Sequence, residues 1–258
     1  MSYAPEGCFF AARRQPVQHT AWPRFVSEGA TLAVVKYAIA ALRFAVSALM
    51  LVAMTRSFAY DAAHGVDIWP WDWFGYFTNQ NNLAAGFVLT FAGVALLQGR
   101  RVRWLEYARG AVTTYIFIVG TVFWTLLASV TPVHIHWTND VVHAVMPTYC
   151  VLDWLFVGDR APLRVSKLWV IYPYAVVWLA VTLIRGAIDG WVPYPFMDPA
   201  TGYASVALYC GAIVVIATVV AFAFWGASRS RGILLPRSAD RVVAEPARDH
   251  RRDDGLAA

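Results

Sequence analysis

Six long apolar segments, separated by short polar or aromatic stretches, dominate the pattern of residues along the 258-residue chain. A bilayer core of about 30 Å needs roughly 20 apolar residues per helix, and each segment approaches that length. The pattern therefore predicts an all-α polytopic membrane protein, a bundle of six transmembrane helices. The predicted helices cover residues 31–54, 76–97, 108–130, 137–157, 168–185 and 203–227.

Polar segments flank this predicted membrane domain, which covers residues 31–227. Residues 1–30 are polar and irregular and contain no cleavable signal pattern, so we expect an N-terminal arm followed by a signal anchor. Residues 228–258 are rich in charge and interrupted by prolines, which predicts a disordered tail.

The distribution of basic residues predicts the direction of the helices. Seventeen of the 21 lysines and arginines lie in the two tails and in the second and fourth connections, so we expect both termini to be cytoplasmic.

The chain is 59% apolar and 14% charged, whereas soluble domains carry about 25% charged residues. This balance excludes a soluble domain, and basic clusters beside apolar runs argue against nucleic-acid binding. Arginine greatly outnumbers lysine, which favours a bacterial plasma membrane protein.

Two predicted helices begin with polar residues at the same depth. The second carries Thr78, Asn81 and Asn82 on one face, and on the fourth Asn139 and Asp140, four and three residues before His143, share a face with it. Each residue also has a structural explanation, since threonine often caps helices and asparagine bonds between them. An ionisable histidine within a span is nevertheless a functional candidate. The two faces could therefore enclose one cavity.

Arg43 and Asp153 lie deeper. From Met54, Arg43 is about 16 Å down its helix, and from Asn139, Asp153 is about 21 Å down its own. A long arginine side chain reaches across that difference, which predicts an ion pair. The alternative is that Arg43 binds the carboxylate of a fatty acid. At the outer end of the fifth predicted helix, Arg185 and Asp189 are four residues apart, which is the spacing of a local ion pair.

We expect neither a metal nor another cofactor. The three cysteines are scattered, and His134 and His136 have no carboxylate or cysteine beside them. A haem would need two histidines facing each other across the bundle, and His143 alone lies well inside a predicted helix.

Several short motifs resemble those of one family. These are an aromatic residue before Thr78, Asn139-x-x-x-His143 followed by Pro147, and a late segment matching at Trp191, Val192, Tyr194, Pro195 and Phe196. They resemble the androgen-induced and androgen-dependent TFPI-regulating membrane proteins, which cleave fatty acid esters of hydroxy fatty acids with a threonine and a histidine. The chain is also similar to an uncharacterised bacterial six-span family that shares FTxQ, LDW and PYPF. The resemblance covers roughly residues 71–199.

The resemblance implies Thr78 as nucleophile and His143 as base. Two departures are visible: Asp140 stands where the family has a second histidine, and Pro193 interrupts the late segment. Oxyanion-binding or histidine-orienting candidates beside the pair are Asn82, Asn139, Asp140 and Asp189, and Thr138 is a competing nucleophile.

Two functions from different classes fit the sequence. The first is an intramembrane hydrolase of lipid esters, whose partners are membrane lipids and the ester substrate. The second is a non-enzymatic membrane protein such as a transporter of lipids or small molecules, although transporters tend to have ionisable residues throughout the membrane depth. The sequence leaves the oligomeric state and the acyl chain open.

Overall fold

The computed structural model describes residues 22–65 and 69–235, with side chains from residue 30 onward. Its helices are α1 (Trp22–Ala63), α2 (Pro70–Trp73), α3 (Phe77–Leu97), α4 (Arg103–Val122), α5 (His136–Asp140), α6 (Met146–Phe156), α7 (Tyr172–Ile188) and α8 (Tyr203–Ala227). A π-helical turn, Phe123–Leu127, extends α4, and another, Val141–Val145, joins α5 to α6. Short 3₁₀ helices occupy Val165–Ile171, Pro195–Met197 and Pro199–Thr201.

The structure confirms an all-α architecture for the part of the chain that it describes, apart from a single bridge between Val157 and Leu234. Five of its helices are long and apolar enough to cross a membrane: Ala30–Ala63, Phe77–Leu97, Arg103–Leu127, Val165–Ile188 and Tyr203–Ala227. These five correspond to predicted segments. The remaining predicted segment, 137–157, lies in continuous helix from α5 to α6, but its polar residues make it less apolar than the others.

The first helix extends further than the sequence pattern predicted. The prediction ended it at residue 54, where Thr55 and Arg56 interrupt the apolar run, but α1 continues to Ala63. Near its end, α1 contacts the loop that follows α4 through aromatic rings. The ring of Tyr60 stacks on His64 at 3.9 Å and on His134 at 5.5 Å between centroids.

Helix α4 lies at the centre of the bundle, where it packs against α3, α6 and α8. On its far side α3 packs along α1, and the approach is close at Gly86. A methyl group added there would come within 2.2 Å of the Met50 Cε atom. Small residues allow such close approach between membrane helices. In contrast, α7 and α8 are mostly exposed, as lipid-facing helices are.

Residues 228–235 differ from the prediction of a disordered tail starting at 228. Ser228 Oγ accepts a hydrogen bond from the Leu163 backbone at 2.9 Å, and Gly158 donates to the Leu234 carbonyl at 2.8 Å. Arg160 also donates to the Ala227 carbonyl at 3.0 Å. This stretch therefore packs against the segment after α6. The rest of the predicted tail, and most of the predicted N-terminal arm, lie outside the described residues.

Candidate functional site

The polar residues that open α3 mostly hold the local backbone together. Asn79 Nδ2 donates to the Trp73 carbonyl at 2.7 Å, and Gln80 Nε2 donates to the Phe74 carbonyl at 2.6 Å. These two bonds fix the aromatic loop before α3, which has no side-chain cap at its first residue. Their role is structural.

Asn82 also has a structural role, which corrects its assignment as an oxyanion-binding candidate. Its Nδ2 donates to the Thr78 carbonyl at 2.9 Å and to the Val142 carbonyl at 3.3 Å, and the side chain is fully buried. Both amide N–H groups therefore bind backbone oxygens. Asn82 joins α3 to the π-helical turn that carries His143, and has no amide donor left for a substrate.

Thr78 lies in the first turn of α3 and is not its cap, since the capping position is Tyr76. Its backbone N–H donates to the Tyr194 hydroxyl oxygen at 3.3 Å, and its own Oγ1 lies 3.3 Å from that oxygen. Burial raises the pKa of the Tyr194 phenol to about 12, although the hydrogen bonds with Thr78 act in the other direction. The tyrosine thus keeps its proton at neutral pH and can donate it.

Asn139 orients the imidazole of His143. The His143 Nδ1 atom lies 2.9 Å from Asn139 Oδ1 and 3.2 Å from the Asn139 carbonyl oxygen. Both partners are acceptors, so Nδ1 carries the proton and Nε2 is the basic nitrogen. The imidazole also stacks on Phe123, with the ring centroids 3.7 Å apart and the planes 15° apart. The imidazole is held in one tautomer and one orientation.

Two other orienting candidates do not have this role. Asp140 is exposed, and the His143 Nδ1 atom bonds to Asn139 instead. Asp189 pairs with Arg185 at 3.0 Å and accepts from the Trp191 backbone at 2.9 Å, as the spacing of Arg185 and Asp189 predicted. The backbone hydrogen bond from Trp191, together with Arg185, lowers the pKa of Asp189. Asp189 stabilises its loop.

Pro147 explains the irregular helix around His143. Proline has no N–H, so it cannot donate to the carbonyl four residues earlier, which belongs to His143. That carbonyl instead accepts a hydrogen bond from Trp124 Nε1 at 3.0 Å. Helix α4 approaches closely because residue 120 is glycine: a Cβ atom there would lie 3.0 Å from the His143 carbonyl oxygen. Both π-helical turns meet at this contact, and such turns are frequent at functional sites.

Thr78 and His143 line the same cavity, which we call the polar cavity. It has a volume of about 640 Å³ and lies between α1, α3, the π-helical turn before α6, and the 131–135 and 191–194 loops. Asn139, Thr138 and Tyr194 also line it. Within the described part of the chain, no hydrogen bond joins Thr78 to His143. Thr138 donates its hydroxyl to the Ile135 carbonyl at 2.9 Å, so its side chain holds the start of α5.

A second cavity, the apolar cavity, adjoins the first. It has a volume of about 120 Å³ and lies among α3, α4, α7 and α8. Apart from tyrosine hydroxyls and Thr78, its lining is aliphatic, aromatic or sulfur-containing, and includes Ile118, Val122 and Met197. Thr78, Tyr194 and Leu127 line both cavities. The threonine hydroxyl therefore lies where a polar space meets an apolar one.

The deep pair of Arg43 and Asp153 is present, but it belongs to a larger cluster. Arg43 Nε lies 2.9 Å from Asp153 Oδ1, and Arg43 Nη1 lies 2.6 Å from Asp159 Oδ2. Arg109 bridges the same two carboxylates at 2.7 Å and 2.9 Å. Arg43 also donates to the Ala92 carbonyl at 3.2 Å. We call Arg43, Arg109, Asp153 and Asp159 the four-charge cluster.

This cluster has a structural role. The side chains of its four members are at most 9% exposed, and their charges cancel. Burial alone would raise the pKa of Asp159, but the charges of Arg109 and Arg43 and their hydrogen bonds hold it well below its ordinary value. The Arg43 guanidinium is committed to these partners and lines neither the polar nor the apolar cavity, which argues against its binding a fatty acid carboxylate.

The sequence did not predict a role in these sites for three of their residues. Arg109 was interpreted only as a cation that sets the topology, and Asp159 was given no role. Tyr194 was noted as a motif match but given no role. Its position in an aromatic, proline-rich segment was the available signal.

Among residues 30–65 and 69–235, no group of three or more histidine, cysteine, aspartate or glutamate side chains is arranged to hold a metal ion. Comparison of the chain with protein-family models, curated proteins and solved structures finds no match.

Proposed function

We propose that this protein is a six-span hydrolase of the bacterial plasma membrane that cleaves lipid esters, with both termini in the cytoplasm. The helical segment from His136 to Phe156 would be the remaining span, because it packs against α1 and α4 inside the bundle and its histidine has a hydrogen-bond partner there. The excess of arginine at the end of the bundle away from Thr78 supports the orientation. Thr78 then lies near the outer leaflet.

The observation that best supports this proposal is the position of Thr78 at the junction of the two cavities, with a basic imidazole nitrogen in the polar cavity. A fatty acid ester has an apolar chain and a polar ester group, and these two parts match the two cavities. Esters of hydroxy fatty acids, or related lipids, have this character, and the motif resemblance implies the same class.

In the proposed reaction, Thr78 Oγ1 attacks the ester carbonyl carbon and its proton passes to His143 Nε2. Tyr194 donates its hydroxyl proton in a hydrogen bond to the oxyanion that forms. The leaving alkoxide takes the proton from Nε2, which leaves an acyl group on Thr78. A water molecule then attacks the acyl carbon and gives a proton to Nε2, which passes it to Thr78 Oγ1 as the acyl–oxygen bond breaks, so that the fatty acid and the free threonine are released.

The test is hydrolysis of a fluorogenic fatty acid ester by the purified full chain in nanodiscs, together with labelling by a fluorophosphonate probe. Thr78→Ala and His143→Ala should each lower the hydrolysis rate by roughly 10⁴-fold or more and abolish labelling. Thr78→Ser should retain both, because it keeps a hydroxyl nucleophile.

Thr138→Ala is the matched control, since Thr138 lines the same cavity but its hydroxyl bonds to a backbone carbonyl. It should keep most of the activity. Each variant must show the thermal unfolding of a folded protein. Full activity in a folded Thr78→Ala variant would refute the mechanism, as would a wild-type protein that neither hydrolyses nor labels beside a labelled serine hydrolase.

A transporter is the second candidate, and one observation favours it. Besides the polar cavity, a cavity of about 660 Å³ opens at the other end of the bundle, and two members of the four-charge cluster, Arg109 and Asp159, line it. Two cavities at opposite ends are expected for alternating access. Uptake of a labelled lipid into proteoliposomes by a Thr78→Ala variant with no hydrolysis would favour this function over the first.

A further inference from the structure

We infer that the protein binds the headgroup of an anionic phospholipid at the end of the bundle opposite Thr78. The site is the cavity of about 660 Å³ there, which we call the basic cavity. It lies between the part of α1 around residues 32–37, the end of α3 and the start of α4. This inference depends on the proposed orientation for its place in the inner leaflet, but not on the hydrolase activity.

Charge is the first argument. Four cations line the basic cavity, Lys36, Arg100, Arg101 and Arg109, together with two carboxylates, Glu106 and Asp159. Arg109 and Asp159 neutralise each other within the four-charge cluster. Glu106 accepts a hydrogen bond from the Ala161 backbone at 3.0 Å. The lining thus has an excess of two positive charges, which a phosphate-bearing anion would complement.

Lys36 is the second argument, because it is an ionisable residue within an apolar helix and needs a reason to be there. Its Nζ donates to the Leu97 carbonyl at 3.0 Å, close to the last turn of α3. The ammonium group is thereby held at the wall of the cavity, beside the last residue of α3 and three residues before Arg100. An ammonium group has three N–H donors, so this bond leaves two for a phosphate.

The mixed composition of the lining, apolar residues beside basic ones, is the third argument, and it favours a lipid over a free anion. Leu32, Ala33 and Leu96 line the cavity beside the cations. Apolar and basic residues side by side match the glycerol and first acyl carbons beside a phosphate. Basic pockets between helices on the cytoplasmic side of membrane proteins bind anionic headgroups.

The experiment measures lipid binding to the purified full chain by native mass spectrometry. The probes are phosphatidylglycerol, phosphatidylcholine with the same acyl chains, and inorganic phosphate. Wild type should prefer phosphatidylglycerol. The double variant Lys36→Gln/Arg100→Gln should bind it roughly 30-fold more weakly, which corresponds to a loss of about 1 kcal/mol for each cation removed.

Arg103→Gln/Arg164→Gln is the matched control. It removes the same charge from exposed residues near this end of the bundle that do not line the cavity, and it should change the affinity less than about threefold. Equal weakening in both double variants would show general surface attraction and overturn the inference. Equal binding of inorganic phosphate, or no preference over phosphatidylcholine, would also overturn it.

If Lys36→Gln/Arg100→Gln fails to fold, Lys36→Arg/Arg100→Lys tests the same point, because it conserves both charges and should retain the preference. Loss of the preference in that folded variant would contradict a charge-based site. Ester hydrolysis is measured on the same samples, so failure of lipid binding and failure of the proposed hydrolase are separate results.

Discussion

Removal of Arg43 should destabilise the protein strongly. In the wild type, two arginines and two aspartates share four contacts of 2.6–2.9 Å, and their charges cancel. Arg43→Met leaves Asp153 and Asp159 with Arg109 alone, so one negative charge remains buried without compensation. Breaking a buried pair in this way costs about 3–5 kcal/mol. The combined variant Arg43→Met/Asp153→Asn restores neutrality and should be less destabilised than Arg43→Met.

The assay is unfolding of the purified protein in detergent, for the two single variants and the double variant. We expect the double variant to cost about 2 kcal/mol less than the sum of the singles. Arg185→Met is the control, because Arg185 also contacts two carboxylates, Asp72 and Asp189, but in a partly exposed place. Its cost should be about 1 kcal/mol or less. Additive costs at Arg43 and Asp153 would refute the coupling.

The remaining predictions concern the site and the effect of pH. Asn139→Ala should lower kcat for the ester by roughly 10²-fold with little change in KM, since the imidazole loses its orientation; Tyr194→Phe should lower kcat by roughly 10²–10³-fold. Unchanged kcat in either would remove that residue from the mechanism. Because the pKa of Asp159 is lowered, its contribution to stability is present above its unfolded pKa, about 4, and is lost only as pH falls through the folded pKa. The stability difference between wild type and Asp159→Asn should therefore stay constant from roughly pH 8 to pH 5, and a decline within that range in thermal unfolding would contradict the assignment.

Helix positions were predictable because the membrane imposes length and apolarity together. The fixed rise of a helix also placed Arg43 and Asp153 at compatible depths. Depth says nothing about which way a side chain points, however. For this reason the position of Arg109 in the chain predicted a surface cation, whereas its side chain points inward to the carboxylates of Asp153 and Asp159.

Within the candidate site, the sequence grouped Thr78 and His143 by equal depth, and both do line one cavity. The sequence favoured Asp140 as the partner of the imidazole and Asn139 as an oxyanion donor, but residues three and four positions away share a helix face, and the bond is made by Asn139. The π-helical turn decides the local geometry, and Asn139 is the neighbour that bonds. Tyr194 comes from a loop, and loop positions follow from tertiary packing that no periodic pattern encodes.

The wide spacing of the four-charge cluster along the chain has a consequence for how the protein is made. Arg43 and Asp153 are separated by 110 residues, so Arg43 leaves the ribosome well before any carboxylate that will neutralise it. At about 5–20 residues per second, synthesis of the intervening chain takes on the order of 5–20 s. During that interval the first helix carries a lone arginine that lipid accommodates poorly, at a cost of about 2.5–3.5 kcal/mol. Until the segment containing Asp153 has been synthesised, the first helix therefore lacks the carboxylate that offsets this cost.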